Sequence, residues 1–143
     1  MGPAMFEKGE LVSIRELEGG VAHDRFLKNA VQLRVKALKD LTLEEVKVVA
    51  MAIGGRLVDF KIDDATAWAV AVTPLPGFNI VLCMQKYSPE FEDTMEVLFS
   101  RKAVELGIPA EDASEWAILY LNAMIYAVRR VLKKDVERIS HYL

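Results

Sequence analysis

Apolar and polar positions alternate most densely between residues 65 and 100. Trp68, Val70 and Val72 face one way and Ala67, Ala69 and Ala71 the other, the period of two that marks a strand. Pro74, Leu75, Pro76 and Gly77 then supply turn chemistry. In the next run Ile80, Leu82 and Met84 oppose Val81 and Cys83, so both faces are apolar. That is the pattern of a central strand covered on both sides. A polar loop over residues 86–93 leads to a last strand over residues 94–99. The alanine side of the first strand is small enough to let a helix approach closely.

Outside this stretch the period lengthens. Residues 11–17 alternate well enough for a short strand, which Gly19 and Gly20 end. Residues 21–41 have helical spacing, with Phe26, Ala30, Leu33 and Ala37 on one face and Arg25, Lys28, Lys36 and Lys39 turned elsewhere. Thr42 and Glu45 form a capping-box pattern ahead of a second helix, whose buried stripe is Val46, Ala50 and Ile53. Gly54 and Gly55 stop it, because glycine takes the left-handed C′ conformation without penalty. Residues 57–62 read as a strand, followed by a polar turn at Asp63 and Asp64.

Pro109, Glu111, Asp112 and Glu115 open a long helix that ends near Arg129, Arg130, Lys133 and Lys134, charges that suit the helix dipole. Residues 116–128 are apolar almost all round, broken only by Asn122. At 1.5 Å per residue they span about 20 Å, short of the roughly 30 Å of a bilayer core. This is a buried helix or a subunit interface, not a transmembrane span. The expected class is α+β: an antiparallel sheet of four to five strands packed by two N-terminal helices and one long C-terminal helix. One domain covers residues 1–143, with residues 1–9 expected to be a disordered lead-in.

Composition changes this picture in three ways. The chain is 52% hydrophobic, so either the core is large or part of the surface meets another subunit. Its net charge of −3 argues against nucleic acid as a partner. Its single cysteine, Cys83, permits neither an intrachain disulfide nor a cage of thiolates, and its apolar strand marks it as a buried small hydrophobe. The first residues lack the apolar run of a signal peptide, so the cytoplasm is the expected compartment.

No catalytic motif and no cofactor motif occurs. Asp63, Asp64, Glu90, Glu92 and Asp93 lie at strand ends, where converging carboxylates would suit a divalent cation. Acidic loops also serve solubility alone. Gly19 and Gly20, with Arg15 and Arg25 nearby, offer an anion site at a helix start, or simply a glycine turn. His23 sits in a first helical turn and His141 near the chain end, and both read as surface residues. Asn122, alone in an apolar helix, must find hydrogen-bond partners, either a twofold mate or a core carbonyl. Trp116, Tyr120, Asn122 and Met124 are the candidate interface residues. The leading expectation is a non-enzymatic homodimeric binding or accessory protein. The alternative is a small-molecule or divalent-cation-binding domain, with enzymatic activity left open, using the acidic loops.

Residues 13–20, followed by Phe26, resemble the opening of the domain of unknown function 3786 family. Gly54-Gly55-Arg56, Asp64-Ala65, Leu75-Pro76, Glu90-Phe91, Leu98-Phe99 and Glu111-Asp112 recur in the same order. The resemblance covers residues 10–113. The family has no established activity, and the company of some members implies an accessory role beside iron–sulfur or corrinoid proteins. The chain departs from the pattern at Tyr87-Ser88-Pro89-Glu90-Phe91, where relatives carry Trp and a longer acidic run, and at Ser100, where they carry Asp. A carboxylate cluster serving those relatives would be thinned here.

Overall fold

The structure, a computed structural model, describes residues 4–136, with Ala4, Met5 and Lys8 described by backbone alone. Six strands form one sheet: β1 (Ala4–Met5), β2 (Leu11–Val12), β3 (Arg56–Asp59), β4 (Thr66–Leu75), β5 (Phe78–Gln85) and β6 (Thr94–Ser100). Their order across the sheet is β1-β3-β4-β5-β6-β2. Every pairing is antiparallel except β1 with β3. Four helices accompany them: α1 (Gly20–Leu38), α2 (Leu43–Ala52), a short α3 (Lys102–Glu105) and α4 (Ala110–Arg130). The class is α+β, with the two N-terminal helices and the long C-terminal helix that periodicity predicts.

The β4–β5 hairpin is the centre. Val70 pairs with Leu82 and Val72 with Ile80, so large side chains stack on one face. That face meets the helices in a single core containing Trp68, Val70, Val72, Phe78, Leu82, Phe99, Leu121, Met124 and Ile125. Phe78 stacks on Phe99 at 6.4 Å and meets Trp116 of α4 at 5.6 Å. β5 is buried on both sides, as its two apolar faces predict.

The other face differs from expectation. Ala69, Ala71, Val81 and Cys83 pack with Leu11, Val58, Phe60 and Phe6, and among the described residues no helix contributes to that cluster. The reason is topological. β1 lies at one edge of the sheet and β2 at the other, with only residues 6–10 between them. The chain must therefore cross this face, with a 3-10 turn at Lys8–Glu10, and small alanines leave room for this strap. The Arg56 guanidinium lies over the Phe6 ring at 6.0 Å. Residues 4–9 are thus part of the domain instead of a lead-in, while residues 1–3 and 137–143, His141 among them, lie outside the described residues.

The strand expected over residues 11–17 is also shorter. It stops at Val12, and Ile14–Glu16 form a 3-10 turn whose N-cap Ser13 accepts a hydrogen bond from the Arg15 N–H. Ile14 and Leu17 are both buried, a spacing of three that suits the tighter turn. α2 matches its sequence signal: Glu45 N–H donates to the Thr42 hydroxyl at 3.2 Å, and Thr42 N–H to Glu45 Oε1 at 3.0 Å. Among the described residues, no helix is long and apolar enough to cross a membrane.

Candidate functional site

The acidic residues gather where β4 begins and β5 ends. Gln85 is buried there, accepting from the Thr66 hydroxyl at 2.5 Å and donating to Asp63 Oδ1 at 3.0 Å and to the Tyr87 hydroxyl at 3.2 Å. Asp63 Oδ1 also accepts the Ala65 N–H at 2.8 Å. Asp93 is buried beside them, its Oδ1 accepting from the N–H groups of Tyr87 at 2.8 Å and Ser88 at 2.9 Å. Its Oδ2 accepts from the Ser88 hydroxyl at 3.2 Å and faces Lys86 Nζ at 3.2 Å. Lys86 reaches on to the Lys39 carbonyl at the end of α1, at 3.0 Å.

Asp63 and Asp93 therefore share one corner of the sheet, which their strand-end positions permit without requiring. Both, however, are occupied in accepting protein donors. Asp64, Glu90 and Glu92 are exposed, and among the described residues no group of three or more His, Cys, Asp or Glu is arranged to hold a metal ion.

The Ser88 N–H, followed by Tyr87 and Lys86, holds the Asp93 carboxyl well below the usual carboxylate range, against burial, which pushes it up. A depressed folded pKa stabilises the fold fully above the unfolded value, about 3.9, and that contribution is lost as pH falls through the folded value. Asp93→Asn should lower Tm at neutral pH by about 5 °C or more. It should also flatten the fall of Tm in acid. Parallel Tm curves for variant and wild type down to the lowest accessible pH would refute this role.

At the start of α1, Gly19 adopts a left-handed φ of 77° as the N-cap. Gly20 donates its N–H to the Leu17 carbonyl at 2.8 Å, so that group points inward. Arg15 Nη1 meets Asp24 Oδ2 at 3.2 Å, which also takes Lys28 Nζ at 3.2 Å. A carboxylate of the chain itself thus faces the arginine of the expected anion set, and Arg25 is exposed. His23 is half-buried in the first turn.

On the strap side of the sheet, Leu11, Phe60, Ile62, Gln85, Tyr87, Glu96 and Leu98 line a crevice of about 340 Å³. Cys83 is fully buried and pairs in register with Glu96. Burial, and then the Glu96 charge, push its thiol up to about 12. Burial also pushes the Glu96 carboxyl up. A thiol held protonated in this way is a packing group and not a nucleophile.

The helix layer holds a feature that the sequence reading missed. Arg34 is only 6% exposed, yet among the described residues it has no acidic partner. Its Nε donates to Asn122 Oδ1 at 2.7 Å and its Nη1 to the Ala30 carbonyl at 2.7 Å. Burial pushes its pKa down. Within the chain, the Asn122 carbonyl oxygen thus finds a side-chain partner that neither expected alternative named. It bonds a charge on the neighbouring helix. The signal was present: Arg34 interrupts the buried stripe Leu27, Val31, Leu38 just as Asn122 interrupts α4.

This pair fixes how the helices lie. Ala110 N–H donates to the Glu18 carbonyl at 2.8 Å, just before α1. α1 and α4 therefore run side by side in the same direction. On the other flank Lys134 Nζ meets Glu45 Oε2 at 2.7 Å, so α2 runs opposite to α4. Ala52, Ile53, Leu119, Tyr120, Asn122, Ala123 and Tyr126 border a groove of about 520 Å³ on the outside of this layer.

No family model matches the chain, and no curated protein or solved structure matches it.

Of the four residues expected at an interface, Tyr120 and Asn122 line the groove. Met124 is fully buried with Leu121 and Ile125, and Trp116 sets its ring against Phe78. Both serve the core, because their positions on α4 turn toward the sheet and α2. Large apolar residues that face outward include Leu119 and Tyr126 on α4 with Val131 just past its end, Val21, Phe26 and Leu33 on α1, and Leu43, Val48 and Met51 on α2.

Proposed function

We propose that this chain is a non-enzymatic binding or accessory domain of the cytoplasm that acts by association, as a homodimer. The observation that carries this reading is that α1 is apolar on two faces. Leu27, Val31, Val35 and Leu38 enter the core, whereas Phe26 and Leu33, on the face that spacing alone singles out, are 57% and 62% exposed. Leu119 of α4 is 62% exposed on the same outer side of the layer. Apolar patches of this kind, rimmed by charge, mark association surfaces. The resemblance to the domain of unknown function 3786 family belongs to the same proposal, with an iron–sulfur or corrinoid protein as a further candidate partner. The acidic corner supports cation binding less well, because Asp63 and Asp93 already hold protein donors.

Sedimentation at micromolar concentration tests the proposal. The wild-type chain should run as a dimer, and Leu33→Glu combined with Leu119→Glu should run as a monomer with unchanged circular dichroism. A wild-type chain that stays monomeric sinks the reading.

A further inference from the structure

α4 is about 30 Å long, and its outward side is graded along that length. Glu111, Asp112 and Glu115 make its first turns acidic, Leu119, Ala123 and Tyr126 make its middle apolar, and Arg129 and Arg130 make its end basic. Asp112, Leu119, Ala123, Tyr126 and Arg130 recur at helical spacing and so form one stripe. Arg130 is drawn onto that stripe: its Nε donates to the Tyr126 hydroxyl at 2.8 Å and its guanidinium lies over the ring at 5.2 Å.

The order along the stripe matters. Asp112 and Arg130 are equally distant from Leu121, and so are Leu119 and Ala123. Reversing the helix about that point exchanges acid with base and large with small. The stripe is complementary to a copy of itself running the opposite way, and it opposes like charges to one running the same way. A twofold axis between two copies produces the reversed arrangement and makes each contact twice.

We propose that α4 packs antiparallel against α4 of a second copy of this chain, on a twofold axis that crosses the outward stripe at the level of Leu121, with Asp112 of each chain facing Arg130 of the other. This rests on the association reading above and specifies its geometry. Ala123 opposite Leu119 lets the two helices approach closely, and Phe26 and Leu33 of α1 extend the apolar contact to one side.

Charge reversal tests it on the intact chain. Asp112→Arg and Arg130→Asp should each weaken the homodimer by about tenfold or more, because each sets like charges opposite one another. Mixing the two variants should produce a heterodimer tighter than either homodimer, since both facing pairs are again opposite in sign. The double variant should regain wild-type affinity. Circular dichroism checks that each variant is folded. A wild-type dimer with no preference for the mixed pair overturns the antiparallel geometry and leaves the association reading standing, whereas a wild-type monomer removes both.

Discussion

Gly20→Ala is expected to cost the fold at least about 4 kcal/mol, a loss seen only where something specific breaks. A Cβ on Gly20 would lie 1.8 Å from the Ile14 carbonyl oxygen and 2.8 Å from Arg15 Cα. These are backbone atoms, which no side-chain rotation can move aside. They belong to the turn that buries Ile14 and Leu17 and holds the start of α4 through Glu18. To admit the methyl group, either α1 must begin later or that turn must leave the core. With whole-domain stabilities of about 5–15 kcal/mol, the variant should be marginal. Gly9→Ala is the control, since nothing lies within 4 Å of a Cβ there. Thermal unfolding of the two variants side by side decides the matter. A Gly20→Ala Tm within about 2 °C of wild type would contradict the close approach.

Asn122→Leu should be the next most damaging of the changes considered, at roughly 2–3 kcal/mol, the range for hydrogen bonds to charged groups. It removes the Oδ1 that accepts from Arg34 Nε and leaves a buried guanidinium with the Ala30 carbonyl as its remaining acceptor. The second substitution is the informative one. Replacing a buried polar set by apolar residues of like volume is often neutral or stabilising. Asn122→Leu combined with Arg34→Met should therefore recover most of the loss. Denaturant titration of the two single variants and the double measures the coupling. If the single losses simply add, the pair does not act as a unit.

The sequence is legible wherever neighbours in the chain decide the structure. The Thr42–Glu45 capping box closes over four residues, and it appears as its pattern predicts. Pro109 opens α4, and the two apolar faces of β5 place it inside the sheet. Legibility fell where two periods fit the same residues. Ile14 and Leu17 suit a 3-10 turn as well as the end of a strand, and the Ser13 cap tips the balance. It fell again on α1, where Phe26, Ala30, Leu33 and Ala37 make a convincing apolar stripe. A second stripe, Leu27, Val31, Val35 and Leu38, is the one the core takes, joined from the first only by Ala37. Spacing alone identifies both stripes and ranks neither. The Arg34–Asn122 bond spans 88 positions, and only the tertiary fold brings its partners together. At the acidic corner, composition located Asp63 and Asp93 but not their donors. Those are partly backbone N–H groups, which any sequence supplies, and partly the Gln85, Ser88 and Lys86 side chains, which the fold brings into place.

The strap over the second sheet face has a bearing on solubility. β1 covers the outer side of β3 at Val58 and Asp59, and β2 covers β6 at Phe99 and Ser100. A single run of fewer than ten residues thus shields both rims of the sheet and the alanine face between them. Unpaired rims template pairing with other chains. If this one segment peels away, two adhesive rims and an apolar sheet surface are bared in the same event. Exposure of pairing edges would then begin at residues 4–12, with the rest of the domain still folded.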